Sequence, residues 1–248
     1  MGDIETIGIV AAVFVLAGFV KGVIGMGLPT ISLALLAATL GLKEAMALML
    51  IPSLVTNIWQ GLIGGHLLPM LKRLWPLLLA ACPAIWLGAG VLARADSLMM
   101  AAILGILLFI YAGLALARVN MPAPGRHERW LSPLIGALTG TLTGLTGSFV
   151  MPAVLYMLAL KLNRHELVQA MGISFSMSTL VLGLSLAGHS LLPTELGVIS
   201  AGALVPAAAG MMLGTWVRKL LSEERFRQLF FFALLMLGAW LALRSWIL

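Results

Sequence analysis

The sequence predicts an all-α polytopic membrane protein. It reads as two inverted repeats, each a broken or re-entrant helical hairpin followed by three transmembrane helices. Three observations predict this. The 248 residues are 61% hydrophobic and 10% charged, where a soluble domain carries about a quarter charged residues. Two apolar stretches are too long for one crossing and have glycine-rich middles. An ordered set of residues recurs halfway along the chain.

The elements follow in order. "MGDIETIG" carries Asp3 and Glu5 and no early lysine or arginine, unlike a cleaved signal peptide, so an uncleaved membrane segment is expected. Residues 7–40 form the first long stretch. As one straight helix it would measure about 51 Å, against a hydrocarbon core of about 30 Å. Its middle reads "FVKGVIGMGLP", with a tip expected near residue 24 and Pro29 restarting a helix. Ordinary spans are predicted at 45–65, 74–93 and 97–117, followed by the loop "RVNMPAPGRHERW". The second long stretch, 131–160, contains "GTLTGLTGSFVMP", and Pro152 is again placed at a helix start. Spans at 167–188, 196–217 and 228–247 complete the chain. No segment alternates with the period of two that a membrane barrel requires.

The repeat rests on a constant offset. Gly18, Gly22 and Gly25 return 122 positions later as Gly140, Gly144 and Gly147, as does Glu44 in Glu166 and Gly61 in Gly183. At an offset of 123, Gly65-His66 returns as Gly188-His189 and Pro83 as Pro206. Internal symmetry of this kind marks transporter folds. The organisation is therefore a first repeat over 1–118, a cytoplasmic linker over 119–130 and a second repeat over 131–248, within one membrane domain. Basic residues choose the topology. If both long stretches are hairpins, Lys43, Arg94 and Arg244 lie on one face and eleven lysines and arginines on the other, a positive-inside asymmetry. Both termini are then outside and three crossings per repeat invert the halves. The alternative is eight spanning helices, for which the split is six against eight and gives no orientation.

Broken backbone at membrane depth must be buried or line a cavity, and a helix starting at such a break offers free N–H groups and the positive end of its dipole. An anion is the ligand that suits this. The first turn supplies Lys21, Gly22, Gly25, Met26 and Gly27 as candidate substrate-binding residues. The second supplies Thr143, Gly144, Thr146, Gly147 and Ser148. Asn57 and Gln60 share a face with Ser53 and Thr56, and Ser178 shares one with Ser174 and Ser185. Lys21 is the one charge in the first long stretch, and every carboxylate falls at a segment end or in a loop, so the substrate is its expected counter-charge. Packing of small residues explains any single glycine equally well, and serine or threonine often bonds its own helix. No catalytic residues, cofactor or metal are expected. Cys82 is the only cysteine, and no "GxxxxGK[ST]" loop is present. The partners expected are a small anionic substrate and membrane lipid, not nucleic acid, with a homodimer left open.

"GFVKGVIGMGLP" and "GTLTGLTGSFVMP", one near the start of each half, resemble the TauE/SafE sulfite exporter family, and through the repeat the likeness covers most of the chain. The resemblance implies a secondary transporter of sulfite or an organosulfonate such as sulfoacetate across a bacterial cytoplasmic (inner) membrane. The substrate would sit near the midplane between the two glycine-rich hairpins. Family members commonly read Gly-Gly-Pro in the second copy, where this chain has "GSFVMP", a departure that bears on substrate choice. Transport of another small organic or inorganic anion is the alternative. An intramembrane serine protease using Ser148 and His189 is a poorer match, because "GSF" lacks the usual glycine after the serine.

Overall fold

The computed structural model describes residues 4–119, 121–220 and 222–247. Asp3 and the side chains of Glu223 and Trp246 lie outside that description. Eleven helices and one short 3-10 turn at Gly125–His127 make up the described secondary structure, without a strand. Each long stretch is broken where its glycines predict. The first divides into α1 (Ile4–Ile24) and α2 (Leu28–Thr39), the second into α6 (Glu128–Thr146) and α7 (Ala153–Ala159). The arms are unequal. α1 has 21 residues and α2 has 12; α6 has 19 and α7 has 7. The remaining spans are α3 (Leu42–Leu62), α4 (Leu67–Arg94), α5 (Ser97–Leu116), α8 (Arg164–Gly188) and α11 (Glu223–Ile247). Seven helical segments among the described residues are long and apolar enough to cross a membrane.

The segment expected at 196–217 differs from a simple span. It is two helices, α9 (Thr194–Gly202) and α10 (Leu204–Val217), interrupted at Ala203. Pro206 explains the interruption: it has no N–H for the Gly202 carbonyl, and its ring crowds that oxygen. α3 tolerates an internal Pro52 by another route. That proline leaves the Leu48 carbonyl without its helical donor, and the Ser200 hydroxyl of α9 donates to it at 2.8 Å. The same hydroxyl accepts from the Ile51 N–H at 3.1 Å. The carboxylates keep to helix starts. Glu44 lies in the first turn of α3, Asp96 accepts from the Leu98 N–H at the start of α5, and Asn163 with Glu166 forms a capping box at α8.

Contacts sort the chain into two compact units, and each mixes elements from both sequence halves. One comprises Met1–Pro52, Asp96–Val119 and Pro193–Leu248. In it α1 packs on α10, α5 packs on α11, and α2 lies against α1 and α11. Close approach of backbones explains the glycines: a Cβ on Gly18 or Gly22 would strike the Ala207 or Met211 carbonyl, and one on Gly210 or Gly214 would strike that of Val15 or Phe19. The other unit comprises Ser53–Ala95 and Asn120–Leu192. There α4 packs on α6 and α8, and the seam is again glycine, with Gly136, Gly140 and Gly144 against Leu77, Ala81 and Ile85. Large apolar side chains on the outer faces stay exposed, among them Leu79, Leu87, Val205 and Met212. A water-soluble protein would rarely leave such surface uncovered. In lipid these side chains are the expected exterior.

Candidate functional site

The two glycine turns are built alike. Gly25 has φ +79° and Gly147 has φ +76°, a left-handed conformation that favours glycine. The Gly25 N–H closes α1 on the Lys21 carbonyl at 2.8 Å, and the Gly147 N–H closes α6 on the Thr143 carbonyl at 2.7 Å. After the first turn Gly27, at φ +104°, stands at the cap position of α2, and Pro29 lies in the opening turn of that helix. Pro152 holds the cap position of α7, one residue before the helix. A Cβ on Gly25 would meet nothing within 4 Å, so there is open space beside this turn.

Polar groups divide unevenly between the two units. In the unit of α1, Lys21 is 5% exposed and stands in the last turn of α1. A cation there is favoured by the carbonyl end of the helix dipole. Met26 and Gly27 complete its turn, and a Cβ on Gly27 would lie in ordinary contact distance of Val20 and Phe230. In the unit of α6 the buried polar residues are hydroxyls and amides: Thr143, Thr146 and Ser148 at the turn, Asn57 on α3, and Ser174 and Ser178 on α8. Among the described residues, Ser53 Oγ and Ser174 Oγ are buried without a hydrogen-bond partner. Native interiors seldom leave such groups unpaired. Both were legible in the sequence as members of polar helix faces.

Several predicted site residues also have structural work within their own unit. Gly22 and Gly144 lie in the helix seams rather than in the turns. Thr143 Oγ1 donates to the Ser148 carbonyl at 3.0 Å, and Thr146 Oγ1 donates to the Leu142 carbonyl at 2.7 Å while accepting from the Ser148 N–H. These hydroxyls satisfy the broken backbone that the glycine creates. Gln60 Nε2 donates to the Val168 carbonyl at 2.9 Å and ties α3 to α8. Its neighbour in this lattice was missed by the sequence reading. Gln169 is fully buried, accepts from the His66 N–H at 2.8 Å and donates to the Gly61 carbonyl at 2.9 Å. An uncharged amide inside an apolar span was the signal available. No hydrogen bond joins Ser148 to His189 among the described residues; His189 Nδ1 is engaged by the Ser185 carbonyl at 2.8 Å.

One charged anchor joins the two ends of the second interrupted stretch. Arg73 of α4 donates to Glu128 at 2.7 and 2.9 Å and to the Leu160 carbonyl at 3.4 Å, joining α4 to the start of α6 and the end of α7. The hydrogen bond from Arg73 holds the Glu128 carboxyl below its ordinary range. Tyr156 meets Ser132 at 2.5 Å beside it.

With multiple apolar spans, interrupted helices and no strand among the described residues, the chain is a multi-pass membrane protein. The family model described as sulfite exporter TauE/SafE matches residues 10–241, and the chain belongs to that family. No curated protein and no solved structure matches it.

Proposed function

We propose that the protein is a secondary carrier that exports small sulfur-containing oxyanions, sulfite or an organosulfonate such as sulfoacetate, across a bacterial inner membrane. Under this reading both termini face outward and the central loop faces the cytoplasm. The observation that carries the reading is the pair of left-handed glycine turns inside apolar segments, one of them beside a buried lysine. In this assignment Lys21 supplies the positive charge, and the backbone just past the Gly25 turn, at Met26 and Gly27, supplies N–H groups. Within the other unit, considered by itself, Asn57, Ser178 and the hydroxyls of Ser53 and Ser174 are neutral donors of its own. A sulfite or sulfonate group has several acceptor oxygens and no need of a metal or cofactor to be held this way. With the cytoplasm negative, each exported negative charge gains about 2.3 kcal/mol per 100 mV, so outward flux runs without ATP. The protein carries out no covalent chemistry in this scheme.

The experiment is sulfite efflux from proteoliposomes, with sulfate, sulfoacetate and acetate as competitors. Lys21→Ala and Lys21→Met each lower flux at least tenfold, and Lys21→Arg retains a measurable part of it. The methionine variant preserves the buried stem, so loss of flux with an unchanged melting temperature isolates the charge. Unchanged flux in Lys21→Met removes Lys21 from the site. Acetate competing as well as sulfite removes the sulfur-oxyanion assignment.

A further inference from the structure

A second feature involves none of the residues of the glycine turns. A cleft of about 610 Å³ opens where α4 ends, lined by Trp86, Leu87, Val91, Arg94 and His189. Its two ends differ chemically. Leu87 and Val91 are 70% and 55% exposed, and both lie on a membrane-spanning helix, so this wall faces acyl chains. The other end is polar. Arg94 is exposed in the last turn of α4 and has no hydrogen-bond or ion-pair partner among the described residues. The nearest carboxylate in sequence, Asp96, is turned to the Leu98 N–H at 2.9 Å. Arg73 and Arg118, in contrast, are each paired with a glutamate.

The wall between these ends is rigid. The rings of Trp86 and His189 lie 5.5 Å apart. His189 is held by its Nδ1 contact with the Ser185 carbonyl at 2.8 Å. Glycine makes the fit possible on both sides. A side chain on Gly188 would collide with the Trp86 ring, and one on Gly90 would press on His189 Nε2. Trp86 stands about two turns inside the end of α4 and adds its ring to the apolar wall of the cleft.

We infer that this cleft binds an anionic phospholipid, with the phosphodiester on Arg94 and an acyl chain along Leu87 and Val91. Charge complementarity and the continuous apolar wall together select this occupant. A free oxyanion gains nothing from the apolar wall. A zwitterionic lipid brings its own cation to compete with the guanidinium. Arg94 acts by a charge-assisted hydrogen bond to phosphate, and each basic residue near a bilayer surface adds about 1 kcal/mol to anionic lipid binding.

The test is thermal unfolding of the delipidated, detergent-solubilised chain titrated separately with phosphatidylglycerol, phosphatidylcholine and inorganic phosphate. Phosphatidylglycerol raises the melting temperature of the unsubstituted protein, and the other two do not. Arg94→Gln raises the half-saturating phosphatidylglycerol concentration about five- to tenfold, Arg94→Lys recovers most of the affinity, and Arg129→Gln, at a basic residue elsewhere, leaves it unchanged. The lipid-free melting temperature of Arg94→Gln stays near that of the parent because the side chain is exposed. Three results overturn the assignment: an unaltered titration in Arg94→Gln, an equal response to phosphatidylcholine, or a full response to phosphate alone.

Discussion

Replacing Gly25 by alanine separates two reasons for a glycine at a break in a membrane helix. The residue has φ +79°, and a Cβ there would touch nothing within 4 Å. Alanine therefore pays only for its backbone, about 1–2 kcal/mol for an L-residue held left-handed. In a chain of this size each kcal/mol lowers the melting temperature by about 2–4 °C, so Gly25→Ala melts about 2–8 °C below the parent. Gly25→Asn, which tolerates this conformation better, loses less stability but places a larger group in the same space. If that space is where an anion approaches the backbone, flux per folded molecule ranks parent, alanine, asparagine, opposite to the order the two variants show in stability. The assay is sulfite efflux from proteoliposomes, normalised to folded protein, alongside melting curves of the same preparations. Full flux in both variants would refute the view that the turn is an anion contact and leave it a structural break only. An unchanged melting temperature in Gly25→Ala would refute the backbone argument itself.

Three further predictions concern what holds each unit together. Gln169→Leu leaves the His66 N–H and the Gly61 carbonyl without the partners at 2.8 and 2.9 Å. Each unsatisfied buried group costs about 1–3 kcal/mol, so a loss of about 2–6 kcal/mol is expected in denaturant unfolding. Ser200→Ala strips the donor from the Leu48 carbonyl that Pro52 exposes and destabilises by about 1–3 kcal/mol; in Ser200→Ala/Pro52→Ala the helix supplies its own donor and most of the loss is recovered. Glu128 has its carboxyl pKa depressed by Arg73. Its contribution is therefore complete above the unfolded carboxyl value and fades as pH falls through the lower folded one. Melting temperatures measured from pH 7 down to pH 3 lose this component in Glu128→Gln, which starts lower and falls less steeply. The pair is part-exposed, so the effect stays below about 1 kcal/mol.

The helix breaks were readable because they depend on local chemistry. Gly25 and Gly147 interrupt runs that are otherwise unbroken apolar helix, and excess length alone demanded an interruption in each. The capping carboxylates, Glu44 and Glu166, were equally local. The division of glycines was not readable. Gly22 and Gly25 look alike in one dimension, yet one meets the Met211 carbonyl of another helix and the other borders open space. That distinction belongs to which helix lies alongside. The interruption at Ala203 was missed for a related reason: Pro206 breaks α10 from α9, whereas Pro83 leaves α4 continuous, and a proline's effect depends on what its surroundings allow.

By itself the sequence determined the membrane class, the helical content and the positions of both glycine turns, because all three follow from composition, length and local backbone preference; its two glycine motifs also resembled the family to which the chain belongs. Only the tertiary structure decided that α1 packs on α10 while α4 packs on α6, so that each compact unit draws on both halves of the chain. It also decided that Gln169 and Ser200 are interhelical pins and that Arg94, unlike Arg73, is paired with no carboxylate among the described residues. The physical reason is that glycine seams, unpaired carbonyls and counter-charges are satisfied by neighbours distant in sequence. A one-dimensional pattern records the need for a partner but not which partner meets it.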